Sequence, residues 1–120
     1  MSVSESKENY LEIIHILKTH QKEVHAVDIA KYLGFARASV SIALKALKDD
    51  KYISVDEDSH ITLTPKGKAV AKKVYEKHKT LTAWLMMMGV DEKTALKDAC
   101  KIEHIISEKS FRAIKSYLKK

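Results

Sequence analysis

Residues 28–48 read DIAKYLGFARASVSIALKALK. Ile29, Ala30 and Leu33 form the inner face of a short helix over about 27–33. Gly34 stops that helix, because a helix C-terminus often needs a residue at positive φ. A second helix covers about 38–50, with Val40, Leu44 and Leu47 turned inward at helical spacing. Three positions have a steric cause each. Ala30 is small where two helices cross closely, Gly34 supplies the turn, and Val40 is the β-branched residue that packs the second helix on the first. Two helices joined by a tight glycine turn are a helix-turn-helix, with the second as the recognition helix. The plainer alternative is a helical hairpin with a Lys-bearing solvent face.

On the N-terminal side, Tyr10, Ile13, Ile14 and Leu17 mark a core-facing helix over about 6–19, followed by a polar connection at 21–23. On the other side, YISVDEDSHITLT (52–64) changes period. Ile53 alternates with Val55 and Ile61 with Leu63 around the polar DEDSH, which predicts a β-hairpin. A hairpin after a helix-turn-helix is a wing. Thr64-Pro65 then starts a long helix, with Thr as N-cap and Pro at N1, reaching about residue 87 before Gly89. Asp91 caps a helix predicted over 92–106, and Ser107 caps a last one ending near 118. The expected fold is mainly α: a winged helix-turn-helix DNA-binding domain (1–64) joined by the long helix to a small helical domain (65–120).

The chain has 120 residues, 45% hydrophobic and 32% charged, with three Gly, one Pro and one Cys. This bounds it to one domain or two small ones, mostly helical, with no internal disulfide. No apolar h-region follows Met1, and the most apolar run (81–90, LTAWLMMMGV) is about half the ~20 residues a membrane span needs. The expectation is a cytoplasmic protein without a membrane partner. Net charge is +6, but residues 1–63 carry 8 Lys/Arg against 10 Asp/Glu, and residues 64–120 carry 14 against 6. Local patterning decides where an anionic partner would sit. From 29 to 48 there are four basic residues (Lys31, Arg37, Lys45, Lys48) and no acidic one.

The outward positions of the recognition helix are Arg37, Ser39, Ser41, Ile42 and Lys45. Arg37 suits a guanine edge or a phosphate, and the serines suit phosphates or bases. Asp56, Glu57 and Asp58 make the wing tip acidic, so the wing is not expected to grip DNA. Ala36 stands where a Ser or Asn would cap the recognition helix.

DACKIEHIIS (98–107) holds Cys100, Glu103 and His104, three residue types able to bind metal at i, i+3 and i+4. On a continuous helix Glu103 and His104 lie roughly 60° and 40° either side of Cys100, with Ile102, Ile105 and Ile106 opposite. The competing reading makes Cys100 a small buried hydrophobe and the other two ordinary surface residues. Trp84 and Met86 to Met88, like Tyr10, read as core and dimer contact, and His15, His20, His25 and His60 as structural.

ENYLEIIHIL, DIAKYLG, SVSIALKALK, LTPKGKAVAKKV, KHKTL and DACKIEHIIS, in this order, resemble the diphtheria-toxin-repressor family of metal-dependent repressors. The likeness runs from Asn9 to about Ser107. It implies a winged-helix domain, a helical dimerisation domain, metal bound between the two, and a short form without the SH3-like third domain of larger members. It implies six ligand positions. Asn9 stands where iron sensors have Met and manganese regulators Asp, and Glu12 matches a manganese regulators' glutamate. His78 matches a histidine of both groups. Cys100, Glu103 and His104 match the iron sensors' C-x-x-E-H, in which manganese regulators replace Cys by Glu. Two ancillary ligands of the iron sensors fall on Thr82 and Leu96 here.

A thiolate favours Zn²⁺, Fe²⁺ or Co²⁺, whereas carboxylates and an amide oxygen favour Mn²⁺ and Fe²⁺. Fe²⁺ satisfies both lists and Mn²⁺ comes next. The expected function is a homodimeric, metal-dependent transcriptional repressor of metal homeostasis genes acting on a palindromic operator. The rivals are a winged-helix regulator that has lost metal control and, behind it, a small metal-dependent hydrolase. No nucleophile–base pair supports the last.

Overall fold

The structure, a computed structural model, describes residues 4–119. α1 (Glu5–His20) opens at Ser4, whose hydroxyl accepts from the Lys7 N–H, with Glu5 and Glu8 in the first turn. Both devices suit a helix N-terminus, where free N–H groups and the dipole favour oxygen and negative charge. Tyr10, Ile13 and Ile14 are buried as expected, and so are Leu11 and the acidic Glu12. The buried face is thus wider than the predicted stripe. After the polar connection Val24 is fully buried, and its carbonyl accepts from the Ile61 N–H at 2.8 Å. A single apolar residue between Glu23 and His25 carries no periodicity, so this tie was not legible in the sequence.

α2 (Ala26–Leu33) ends at Gly34, whose φ of +71° fulfils the requirement read from the sequence. Its N–H and that of Phe35 both return to the Ala30 carbonyl, at 2.8 and 3.1 Å. α3 (Arg37–Asp49) buries Val40, Leu44 and Leu47. It begins at Ala36, which has no side-chain cap. β1 (Ile53–Val55) and β2 (Ile61–Leu63) pair antiparallel, with Ile53 opposite Leu63 and Val55 opposite Ile61. Ile53 and Ile61 point into the core, as the alternation required.

α4 (Pro65–Met87) starts as predicted at Thr64. The Thr64 hydroxyl accepts from the Gly67 N–H at 3.2 Å and donates to the Lys51 carbonyl at 2.7 Å. A Cβ on Gly67 would lie 2.0 Å from the Tyr52 carbonyl oxygen, so only glycine allows α4 to begin against this backbone. The first compact unit ends at Lys72 and the second begins at Lys73.

In the second unit α4 stops before Gly89, at φ +101°, and Asp91 caps α5 (Glu92–Ile102) by accepting from the Thr94 N–H. Buried residues here include Val74, Leu81, Ala95, Ala99 and Phe111. α6 (Glu108–Leu118) opens at Ser107, again a side-chain cap. Lys73 and Lys77 of α4 pair with Glu108 at 3.2 and 3.1 Å, and Lys115 of α6 pairs with Glu76.

One boundary differs from the sequence expectation. The helix predicted over 92–106 ends at Ile102, with Glu103 as its C-cap. The N–H groups of Ile105 and Ile106 both return to the Ile102 carbonyl, at 3.0 and 2.9 Å, and close a tight turn. The cause lies one residue later. Ser107 must be extended to cap α6, so the preceding residues have to leave the helix. Ile105 consequently faces solvent instead of joining an apolar face.

Candidate metal centre and nucleic-acid interface

α3 projects Arg37, Ser39, Ser41, Ile42 and Lys45 to solvent, while its other face is tied into the core by Val40, Leu44 and Leu47. Every predicted DNA-facing residue is therefore exposed. The helix is rigidly seated and its outer face carries basic groups without an acid until Asp49. That arrangement can position phosphate and base contacts without spending conformational freedom at the scaffold.

The wing tip has a structural use for one of its acids. The Asp56 carboxylate accepts the N–H groups of Asp58 and His60, both at 2.9 Å, and Ser59 sits at φ +62°. These N–H donors, the one from His60 first, hold the Asp56 carboxyl below its ordinary pKa. His60 is turned between Asp56 and Lys18, whose ammonium lies 3.0 Å from Nε2, and the His25 ring lies 3.1 Å from the Ser59 carbonyl. These two histidines brace the hairpin loop against α1 and the start of α2, in keeping with the structural reading of them.

The second unit gathers three of the six expected ligands. Glu103 is 1% exposed, and its two oxygens face two different imidazoles. Oε2 lies 3.1 Å from Nδ1 of His78 on α4, and Oε1 lies 3.4 Å from Nε2 of His104 in the turn after α5. The early end of α5 creates this geometry, because the turn aims His104 back toward the carboxylate. A buried charge costs several kcal/mol unless it is met by a counter-charge or a metal. One buried carboxylate with an imidazole nitrogen at each oxygen is a donor set that divalent transition metals accept.

Of the other expected ligands, Cys100 belongs to the same unit, and Asn9 and Glu12 belong to the first. Cys100 is exposed on α5, which excludes the reading of it as a buried hydrophobe. Asn9 and Glu12 stand one turn apart on α1, the first half-buried and the second buried. Of the ancillary positions, Thr82 donates its hydroxyl to the His78 carbonyl at 2.7 Å, and Leu96 is exposed. Thr82 thus fixes the backbone of a candidate ligand, a role its sequence position alone did not signal.

Trp84, Met87 and Met88 line an apolar hollow of about 340 Å³ with Ala113, Ile114 and Tyr117. Met86, Met87, Met88 and Tyr117 are exposed, so this methionine run is surface and not core. The α6 contribution was missed because Tyr117 and Ile114 sit in a helix read only for its ends.

Comparison with known proteins matches both halves. The model of the iron-dependent repressor N-terminal DNA-binding domain covers residues 2–61, and that of the iron-dependent repressor metal-binding and dimerisation domain covers residues 64–120. An HTH-type transcriptional regulator of Methanocaldococcus jannaschii is 36% identical over 120 residues, covering 98% of this chain and 96% of that protein. The transcriptional regulator MntR of Lysinibacillus sphaericus is 33% identical over 109 residues, covering 91% and 78%. The solved structure of the manganese regulator SloR has a TM-score of 0.84 at 25% identity, covering 99% of this chain but 55% of that one. Among the described residues no helix is long and apolar enough to cross a membrane.

Proposed function

The chain belongs to the iron-dependent repressor family, the diphtheria-toxin-repressor group of metal-dependent transcriptional regulators, and on that premise we propose that it is an Fe²⁺- or Mn²⁺-dependent repressor. Its relatives are regulators, so the hydrolase reading is set aside. DNA and a second copy of the chain are its partners, as the matched DNA-binding and dimerisation domains imply.

The observation that carries the metal assignment is the buried Glu103 carboxylate between His78 and His104. Those three residues would hold the ion, with Cys100 and, from α1, Asn9 and Glu12 completing the set. The ion supplies a positive charge that Glu103 needs and that no step of bond chemistry uses. Its effect on DNA binding follows from differential affinity: metal favours the arrangement in which the recognition helices are spaced for DNA. Two recognition helices in a homodimer match a palindromic operator with half-sites about 34 Å apart. Arg37, Ser39, Ser41, Ile42 and Lys45 make the contacts, and the hollow lined by Trp84, Met88 and Tyr117 is proposed as part of the copy-to-copy surface.

The ion's identity turns on donor hardness. Cys100 draws the site toward Fe²⁺, with Zn²⁺ and Co²⁺ also compatible, and the carboxylates draw it toward Mn²⁺. The deciding experiment is DNA binding measured metal by metal on operators selected from a random library. Affinity that rises with Fe²⁺ or Mn²⁺ and falls with chelator is the expected result. Equal affinity with and without every metal would support the alternative of lost metal control, which the exposed Leu96 at an ancillary ligand position favours.

A further inference from the structure

The outer face of α3 is unusual for a reader of base edges. On a helix turning about 100° per residue, Ala38, Ser39, Ile42, Lys45 and Ala46 lie within roughly 60° of one another's central line, with Ile42 in the middle. All five are exposed. Ile42 is 74% exposed, although the helix is firmly packed on its other side through Val40, Leu44 and Leu47. A large branched aliphatic left in water at the centre of a surface loses burial energy that its partner can restore. Apart from Asp49 in the last turn of α3, no Asn, Gln, Asp or Glu stands within that face, so its first three turns lack the bidentate groups that read adenine or cytosine. What it does offer is a continuous run of methyl groups flanked by one hydroxyl and one ammonium.

In the major groove only thymine presents a methyl group at its edge. We propose that Ile42, flanked by Ala38 and Ala46, specifies the operator by packing against thymine 5-methyl groups, while Lys45 and Ser39 hold phosphates. This rests on the repressor reading above and adds the chemical group that is read. Basic Lys45 on one side and the acid-free stretch through Arg37 explain why the occupant is DNA and not an apolar protein surface.

The test uses the whole chain, metal-loaded, on an operator obtained by selection from a random library. Each thymine in the selected half-site is replaced in turn by deoxyuridine, which deletes the methyl and leaves base pairing intact. One or two positions are expected to lose about fourfold in affinity, the equivalent of one buried methyl-sized group. Ile42→Ala is expected to bind more weakly and to respond to the same substitutions by less than about twofold. Because Ile42 is exposed, this variant opens no cavity and should retain the wild-type melting temperature. Its salt dependence should also be unchanged, since no phosphate contact is removed. Selected DNA that is insensitive to deoxyuridine at every position would overturn this inference alone. Equal sensitivity in Ile42→Ala would do the same. A selection that returns no DNA under any metal would overturn the repressor reading along with it.

Discussion

Asp56 at the wing tip and Glu103 after α5 each hold a carboxylate between two nitrogen donors, but the donors differ in kind. Asp56 accepts backbone N–H groups two and four residues along its own chain and stays in water. Glu103 is buried and faces two imidazoles from separate elements. The first needs only an acceptor oxygen to shape a turn, and its charge is incidental. The second carries a desolvation cost that only a cation nearby offsets. Acidic residues in one small protein thus separate into turn-formers and candidate ligands by burial and by the source of their donors, not by residue type.

The comparison is sharpened most by Glu103→Gln. This change keeps shape and one acceptor but removes the charge. Metal affinity, measured by calorimetry, is expected to fall by more than the roughly 10–100-fold that follows loss of an outer hydrogen-bond partner of a metal ligand. Far-UV circular dichroism should remain that of the wild type. Retained affinity would place the ion elsewhere and leave Glu103 as an ion-pair partner of the two histidines.

Cys100→Glu comes next in size. The change replaces a soft donor by a hard one, so the ratio of Mn²⁺ to Zn²⁺ or Co²⁺ affinity is expected to rise by roughly tenfold, about 1.4 kcal/mol. The thiol is exposed, so in the metal-free protein it should alkylate readily, and bound metal should protect it. Equal alkylation rates with and without metal would make Cys100 a bystander beside two true ligands.

The first unit was the more legible because its rules are local and redundant. Gly34, Val40 and Thr64-Pro65 each announce a boundary or a packing contact, and the hairpin's alternation fixed both strands. What escaped there was non-periodic: Val24, alone among polar neighbours, and Leu11, buried beside the expected stripe. In the second unit the helical pattern of DACKIEHIIS suggested one continuous ligand face, but the cap at Ser107 ended α5 early. Spacing alone could not reveal that Glu103 and His104 meet across a turn. The pairing with His78 is non-local, and only resemblance to a family pointed to it. Glu12 was legible in the same way alone, since a buried acid on an apolar face contradicts the helix's own pattern.

A smaller effect follows from Asp56. Its folded pKa is depressed, chiefly by the His60 N–H, from an ordinary value of 3.8. A depressed carboxyl contributes stability that is fully present above the unfolded pKa and is lost as pH falls through the folded pKa. Asp56→Asn keeps the acceptor oxygen and cannot titrate. Its melting temperature is expected to lie close to the wild type's near neutrality and to gain on it below about pH 4. Asp56→Ala removes the acceptor and should melt lower at every pH. Wild-type behaviour in Asp56→Ala would mean that the turn forms without this carboxylate, and the contrast with Glu103 would lose one of its sides.

The smallest expected effect concerns the other two acids of the tip. Glu57 and Asp58 are exposed at the wing tip, and wherever the wing approached bound DNA their charges would face phosphates of the same sign. Like charges facing across water are screened over about 8–10 Å, so the repulsion is modest. Converting Glu57 to Gln and Asp58 to Asn together is expected to strengthen operator binding by roughly two- to threefold at low salt, with the gain shrinking as salt rises. Asp56 is left in place so that the turn is preserved. The salt series separates the two explanations of a change: a screened charge effect fades with ionic strength, whereas an altered hairpin conformation does not. A loss of affinity in this variant would mean that the carboxylates accept hydrogen bonds from the DNA, as from a cytosine amine. The wing would then be a reader of bases, and acidic side chains exposed to water would belong with Glu103 as functional groups.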